Sequence, residues 1–67
     1  MTTQPSRIEQ ARHYANEAAT CYEKAWRALD SDQGYIRDQG PDFLQRAIAA
    51  AGISQAFTAL AAVEAAP

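Results

Sequence analysis

The chain has 67 residues, and a chain of this length forms one domain that buries only about 60% of its unfolded surface. Its single cysteine excludes an intrachain disulfide, and Cys and His pairs at zinc spacing are missing from the sequence. The formal net charge is −2, and the six basic residues alternate with acidic ones, which disfavours direct nucleic-acid binding. We therefore expect the chain to gain its missing stability by forming a homo-oligomer.

The first residues, MTTQPSR, contain no basic segment followed by an apolar stretch, so they do not have the pattern of a secretory signal. We expect a cytoplasmic location. Ser6 and Glu9 have the spacing of a capping box, in which the serine and the glutamate each satisfy a free amide of the first helical turn. This pair predicts that a helix begins at about residue 6.

The first predicted helix covers about residues 6–33. Apolar and small residues recur along it at alternating steps of three and four, a heptad pattern that suits an antiparallel helix packed close by. The opposite side carries charges and is expected to face water, with weak Glu9–Arg12 and Glu23–Arg27 ion pairs. The predicted seam is Ile8, Ala11, Ala15, Ala18, Tyr22, Ala25 and Leu29, flanked by Tyr14, Cys21 and Ala28 on one side and by Ala19 and Trp26 on the other.

The connection is predicted at about residues 34–41, after the acidic run that begins at Asp30. Gly34 is a candidate left-handed cap for the first helix, and Pro41 suits the first turn of the second. Between them, Tyr35 and Ile36 either extend the first helix or dock as part of a loop, and the sequence supports both readings.

The second predicted helix covers about residues 42–65, and its stretch from Ala47 to Val63 has no charged residue. Asp42 favours the helix start and is spaced to pair with Arg46. A helix that is apolar nearly all round needs a cover. A membrane span needs about 20 strongly apolar residues, and this mostly alanine stretch is shorter, so we expect no membrane contact. The predicted core face is Phe43, Ala47, Ala50, Ile53, Phe57 and Leu60, beside a second row of Ala49, Ile53, Ala56, Leu60 and Val63.

Gly52 has two interpretations. It lies four residues before Ala56 and marks either a close contact with a neighbouring backbone or a glycine that the helix tolerates.

These elements predict an all-α fold, an antiparallel two-helix hairpin that self-associates into a four-helix bundle, because one hairpin leaves the second helix half bare. The expected interface to another copy or another protein consists of the larger residues of both predicted faces and one alanine. They are Ile8, Tyr22, Leu29, Phe43, Ala50, Ile53, Phe57 and Leu60.

Catalytic and metal-binding motifs are not apparent. Glu9, His13 and Glu17 form a line along one helix edge, but the Glu-x-x-His spacing of carboxylate metal sites in helical bundles is missing, and a solvated surface is the simpler reading. Cys21 lies on the apolar flank, where a small buried thiol is expected and not a nucleophile. We expect no enzyme activity, no cofactor and no metal.

The segments ARHYANEA and LQRAIAAAGISQAFTALAAVEAA resemble a group of small alanine-rich helical proteins of actinobacteria and their phages. Those proteins open with a helix that contains His and Tyr, matched here by His13 and Tyr14, and close with a helix reading close to AQVHATLALAA. Here Gly52, Ile53 and Ser54 stand in place of Gln, Val and His, so no role of that histidine carries over. The resemblance implies a phage or mobile-element context without an assigned activity.

The Trp-x-Gly helical-hairpin secretion substrates of actinobacteria are also small, alanine-rich and paired through their helices. This chain departs from them, because it is short for that group and Trp26 is followed by Arg27 and Ala28 within the predicted helix. Taken together, the sequence predicts a small helical oligomerisation or protein-interaction module whose partner is unknown. The alternative is a regulator associated with transcription or nucleic acid that acts through a partner.

Overall fold

A computed structural model describes residues 5–66, and three helices contain most of them. Helix α1 spans Arg7–Leu29, α2 spans Gly34–Arg37 and α3 spans Gly40–Ala65. Residues 5–66 contain no strand, so the predicted all-α class is confirmed.

Helix α1 begins where its capping residue predicts and ends earlier than expected. The amide of Glu9 donates a hydrogen bond of 3.1 Å to Oγ of Ser6. At the other end, the predicted limit near residue 33 is wrong, because the helix stops at Leu29. The amide of Gln33 donates to Oγ of Ser31 at 3.1 Å, a local bond that competes with helical pairing of the backbone.

The connection contains a helix of one turn. Tyr35 and Ile36 lie in α2, which is separate from α1, and Ile36 is half-buried whereas Tyr35 is exposed. The predicted left-handed cap at Gly34 is wrong, since Gly34 begins α2 and no glycine within residues 5–66 has a positive φ.

Helix α3 begins at Gly40, two residues before its predicted start, and Pro41 and Asp42 lie in its first turn as expected. Gly40 is buried against the end of α1. A Cβ at this position would lie 2.7 Å from both Cγ and Cδ2 of Leu29, so a glycine lets the two helix ends approach this closely without displacing that side chain.

Helices α1 and α3 pack along their length in opposite directions. Leu29 contacts Gly40 at one end, and at the other end Nε of Arg7 lies 3.1 Å from Oε1 of Glu64. Between these ends the fully buried side chains of the contact are small, and Ala25 is 0% exposed. Because alanine ends at Cβ, the two backbones approach closely. The buried apolar residues are Ala11, Ala25, Ala28, Ala47 and Ala50.

The predicted seam of α1 has the correct period but the wrong second row. Ala11 and Ala25 face α3 as expected, whereas Ile8, Tyr22 and Leu29 are exposed. The row predicted as a flank, Tyr14, Cys21 and Ala28, takes their place and is buried or half-buried. A row with Tyr22 and Leu29 at its centre would hold the two helices apart and prevent alanine contact.

The core face of α3 is likewise only partly as predicted. Phe43, Ala47, Ala50 and Phe57 are buried or half-buried, but Ile53 and Leu60 are exposed. Ser54 lies in the contact instead, and its Oγ donates a hydrogen bond of 2.7 Å to the carbonyl of Ala11. Serine is nearly as small as alanine, so it fits where the branched side chain of isoleucine would not, and its hydroxyl is satisfied.

Candidate interaction surface

The helix pair is one layer of secondary structure. Its principal dimensions are 53 × 27 × 12 Å, and the smallest of these is the thickness of one helix. The radius of gyration is 15.5 Å, compared with about 11 Å for a compact domain of this length. Both broad faces of the layer are therefore open, although stable domains ordinarily contain at least two packed layers.

Burial in this layer is the reverse of that in a typical core. Every buried apolar side chain within residues 5–66 is an alanine. Most of the large apolar side chains, which normally fill a core, lie at the surface. The exposed ones are Ile8, Tyr22, Trp26, Leu29, Tyr35, Ile48, Ile53, Leu60 and Val63.

One broad face carries a groove with an almost entirely apolar lining. Tyr22 of α1 and Ile48 of α3 lie on its two sides, and Ile48 is 67% exposed. Tyr22 also packs edge-to-face on Trp26, with ring centroids 6.0 Å apart. We call this surface the aromatic face. At helical spacing it consists of Ile8, Arg12, Ala15, Ala18, Ala19, Tyr22, Trp26 and Leu29 of α1 with Leu44, Ile48, Ala51, Gln55, Thr58 and Ala62 of α3.

The opposite broad face is charged. Nζ of Lys24 lies 5.9 Å and Cζ of Arg46 lies 5.8 Å from the ring centroid of Phe43, which places a cation from each helix on this side. We call it the charged face. At helical spacing it consists of Glu9, His13, Glu17, Lys24 and Arg27 of α1 with Asp42, Arg46, Ala49, Ile53, Ala56, Leu60, Val63 and Glu64 of α3.

The two faces differ in the cost of removing them from water. Helical spacing assigns seven formal charges of the described chain to the charged face and one, that of Arg12, to the aromatic face. Burying an unpaired charge costs far more than burying apolar surface. The aromatic face is therefore the one that a partner covers at lower cost.

The eight predicted interface residues fall in three places. Ile8, Tyr22 and Leu29 lie on the aromatic face, and Ile53 and Leu60 lie on the charged face. Phe43, Ala50 and Phe57 belong to the contact between α1 and α3. There Phe57 stacks on Tyr14, with ring centroids 5.7 Å apart and an interplanar angle of 16°.

The prediction missed Trp26, Leu44 and Ile48 as members of one surface. The heptad pattern places Trp26 on a flank of the first helix and places Leu44 and Ile48 on no predicted face. The spacing from Leu44 to Ile48 and Ala51 is four and then three, so the row was visible in the sequence. It could be joined to Tyr22 only once the side of α1 that meets α3 was known.

The line of Glu9, His13 and Glu17 does not form a metal site, and Cys21 is not part of a site either. Nε2 of His13 lies 3.7 Å from Oε2 of Glu17, and both side chains are mostly exposed. Within residues 5–66, no group of three His, Cys, Asp or Glu side chains is placed to hold a metal ion. Cys21 is half-buried in the contact between the long helices.

Ion pairs follow a different set from the predicted one. Within the described part of the chain, pairs closer than 4 Å are Arg7–Glu64 and His13–Glu17. The predicted Glu9–Arg12, Glu23–Arg27 and Asp42–Arg46 pairs are absent from that set. Exposed pairs within one helix gain only a few tenths of a kcal/mol, too little to hold two long side chains together.

One helical segment could cross a membrane by length and composition alone. It lies within Gly34–Ala65, and 17% of its most apolar window is buried inside the chain. Core helices of water-soluble proteins meet the same criterion, so the finding does not assign a location.

Comparisons with protein-family models, with curated proteins and with solved structures give no match. The actinobacterial and phage context therefore stays a prediction from sequence resemblance.

Proposed function

We propose that this chain is a self-association module, in which two helical hairpins pair into a four-helix bundle. The reversed burial is the observation that supports this proposal. The single chain buries alanines and exposes its tryptophan and six larger aliphatic residues on the two faces, among them Ile48 and Ile53. A second layer gives these side chains the apolar surroundings that one layer lacks.

The exposed area has the size that a dimer requires. The chain exposes 5373 Å², whereas a compact monomer of 7.3 kDa exposes about 4,200 Å². The difference is on the order of 1,000 Å². A standard stable interface buries about 800 Å² on each partner, so pairing of two copies removes an excess of this size.

A second copy accounts for the apolar surface better than a membrane does. Helix α3 is packed along its length on α1, and α1 carries charges such as Glu17 and Lys24. Inserting α3 into a bilayer would separate the helices and break the bond from Ser54 to Ala11. Pairing in water keeps all of these contacts.

The role that follows is structural. Two joined copies present their charged faces outward, and each such face combines mixed charges with exposed Ile53 and Leu60, a composition that suits contact with another protein. Because charges of both signs are interspersed on it, this face has no basic patch of the kind that nucleic acid requires.

Sedimentation equilibrium of the purified chain over a wide concentration range tests the proposal. We expect a species of twice the 7.3 kDa chain mass at high concentration that dissociates on dilution. A folded monomer at every concentration would contradict self-association. Recovery of folded chain only in detergent or lipid vesicles would instead assign the apolar surface to a membrane.

A further inference from the structure

We propose that the aromatic face is the surface that joins two copies, and that the two hairpins lie antiparallel across it, with their α2 connections at opposite ends. This inference rests on the proposed function and specifies its geometry. Its occupant is a second copy of the chain, since the excess exposed area matches what one dimer interface buries.

The choice of face follows from charge. Helical spacing places only one charged side chain, that of Arg12, on the aromatic face of the described chain, and its groove is lined by Tyr22, Leu44 and Ile48 among alanines. In a two-fold interface each charged residue is buried twice, so pairing through the charged face would bury fourteen charges. Pairing through the aromatic face would bury two charges, one Arg12 from each copy.

The choice of direction follows from the uneven distribution of bulk along the aromatic face. The half next to α2 carries large side chains, namely Tyr22, Trp26, Leu29, Leu44 and Ile48. The centre is formed by Ala18, Ala19 and Ala51, and the remaining half carries Ile8, Arg12, Ala15, Gln55, Thr58 and Ala62. The half of the face next to α2 therefore carries the bulkier side chains, and we call it the thick half; the other is the thin half.

Two packing directions give opposite results. If both connections lay at the same end, Trp26 and Tyr22 would meet Leu44 and Ile48 of the second copy, and the thin halves would leave a gap. With the connections at opposite ends, the two-fold axis passes near Ala19, and each thick half covers a thin half. Large against small side chains fill the space between layers evenly, which dense packing requires.

The antiparallel arrangement also gives the single charge a partner. Trp26 and Arg12 lie seven residues on either side of Ala19, so the two-fold axis places Trp26 opposite Arg12 of the second copy. A guanidinium over an indole ring is a favourable contact. The charge that would otherwise oppose burial of this face is then covered by an aromatic ring.

A matched pair of isoleucine variants tests the choice of face. Ile48→Lys places a lysine on the aromatic face, and Ile53→Lys places one on the charged face of the same helix. We expect Ile48→Lys to raise the dimer dissociation constant at least tenfold and Ile53→Lys to change it less than threefold, measured by sedimentation equilibrium. Circular dichroism verifies that both variants remain helical. Equal weakening by both variants, or a larger effect of Ile53→Lys, overturns the choice of face.

A distance measurement tests the direction without altering the interface. Tyr35 lies in α2 and is 69% exposed, so a spin label on Tyr35→Cys in a Cys21→Ser background reports the separation of the two connections. Because 26 helical residues span about 39 Å, we expect a label separation near 40 Å. A separation below about 25 Å, as for adjacent helices about 10 Å apart, overturns the antiparallel arrangement.

These outcomes separate the inference from the proposed function. A dimer with a short label separation would support self-association but contradict the antiparallel arrangement. A dimer that is insensitive to Ile48→Lys would support self-association but contradict the choice of the aromatic face. A chain that is monomeric at all concentrations removes both.

Discussion

Replacing Gly52 with alanine is expected to stabilise the chain. Gly52 lies in the interior of α3, and a Cβ added there would have no neighbouring atom within 4 Å. The position points away from α1 and lies outside the aromatic face. Glycine costs a helix interior about 1 kcal/mol relative to alanine, because its backbone loses more conformational freedom on folding. With no contact to disturb, Gly52→Ala recovers about that amount per chain.

Thermal unfolding followed by circular dichroism measures this effect. For a domain of this size, about 1 kcal/mol raises Tm by roughly 4–8 °C. Both proteins must be compared at the same chain concentration, since the Tm of a dimer depends on it. Sedimentation equilibrium of the variant should give the same dissociation constant as the original chain.

Gly40→Ala is the matched contrast, because a Cβ there would lie 2.7 Å from Leu29. We expect a loss of about 1–3 kcal/mol as that side chain is displaced. A lower Tm or a weaker dimer for Gly52→Ala would contradict this prediction, since Gly52 would then lie in a close contact with another chain.

Three further substitutions test the contact between α1 and α3. Ser54→Ala should lower the free energy of unfolding by about 1 kcal/mol in urea titration, through loss of its hydrogen bond, and an unchanged value would show that the bond contributes nothing. Ala25→Leu should lower the free energy of unfolding by about 1–3 kcal/mol because the site is fully buried. Ala59→Leu, on the exposed side of α3, should be tolerated. Equal tolerance of both substitutions in thermal unfolding would contradict the alanine contact between α1 and α3. Glu64→Gln should change the free energy of unfolding by less than about 0.5 kcal/mol, since the ion pair of Glu64 with Arg7 is exposed. A change above about 1 kcal/mol would show that this pair is more buried than the structure indicates.

Local signals in the sequence were sufficient to predict the helices themselves. Ser6 begins α1, Pro41 lies in the first turn of α3, and the heptad spacing of α1 is real. Each of these features depends on a few consecutive residues, so their physical causes are visible in one dimension. The end of α1 at Leu29 was harder, because Asp, Ser and Gln fit either a last helical turn or a loop.

The orientation of each helix could not be obtained from periodicity. In α1 the same alanines are compatible with a second row of Ile8, Tyr22 and Leu29 or with one of Tyr14, Cys21 and Ala28. Hydrophobicity favours the row with the larger residues, but close packing of two backbones selects the row with the smaller ones. Ser54 shows the same effect in α3, because its size mattered more than its polarity.

The sequence also does not identify the surface that covers the exposed faces of the helix pair. Apolar residues identify what must be covered, yet the covering surface lies outside a single chain. The aromatic and charged faces became distinguishable only after α1 and α3 were placed side by side.

Alanine repeated every seven residues has a consequence for the alignment of α1 with α3. Ala11, Ala18 and Ala25 are interchangeable knobs, so sliding one helix by seven residues, about 10 Å, brings alanine onto alanine again. The repeated contact alone does not select one register. Three contacts that do not repeat select the register. They are the packing of Leu29 on Gly40, the hydrogen bond from Ser54 to Ala11, and the stacking of Tyr14 on Phe57. The few residues that break the repeat thus decide which of several nearly equivalent pairings the chain adopts.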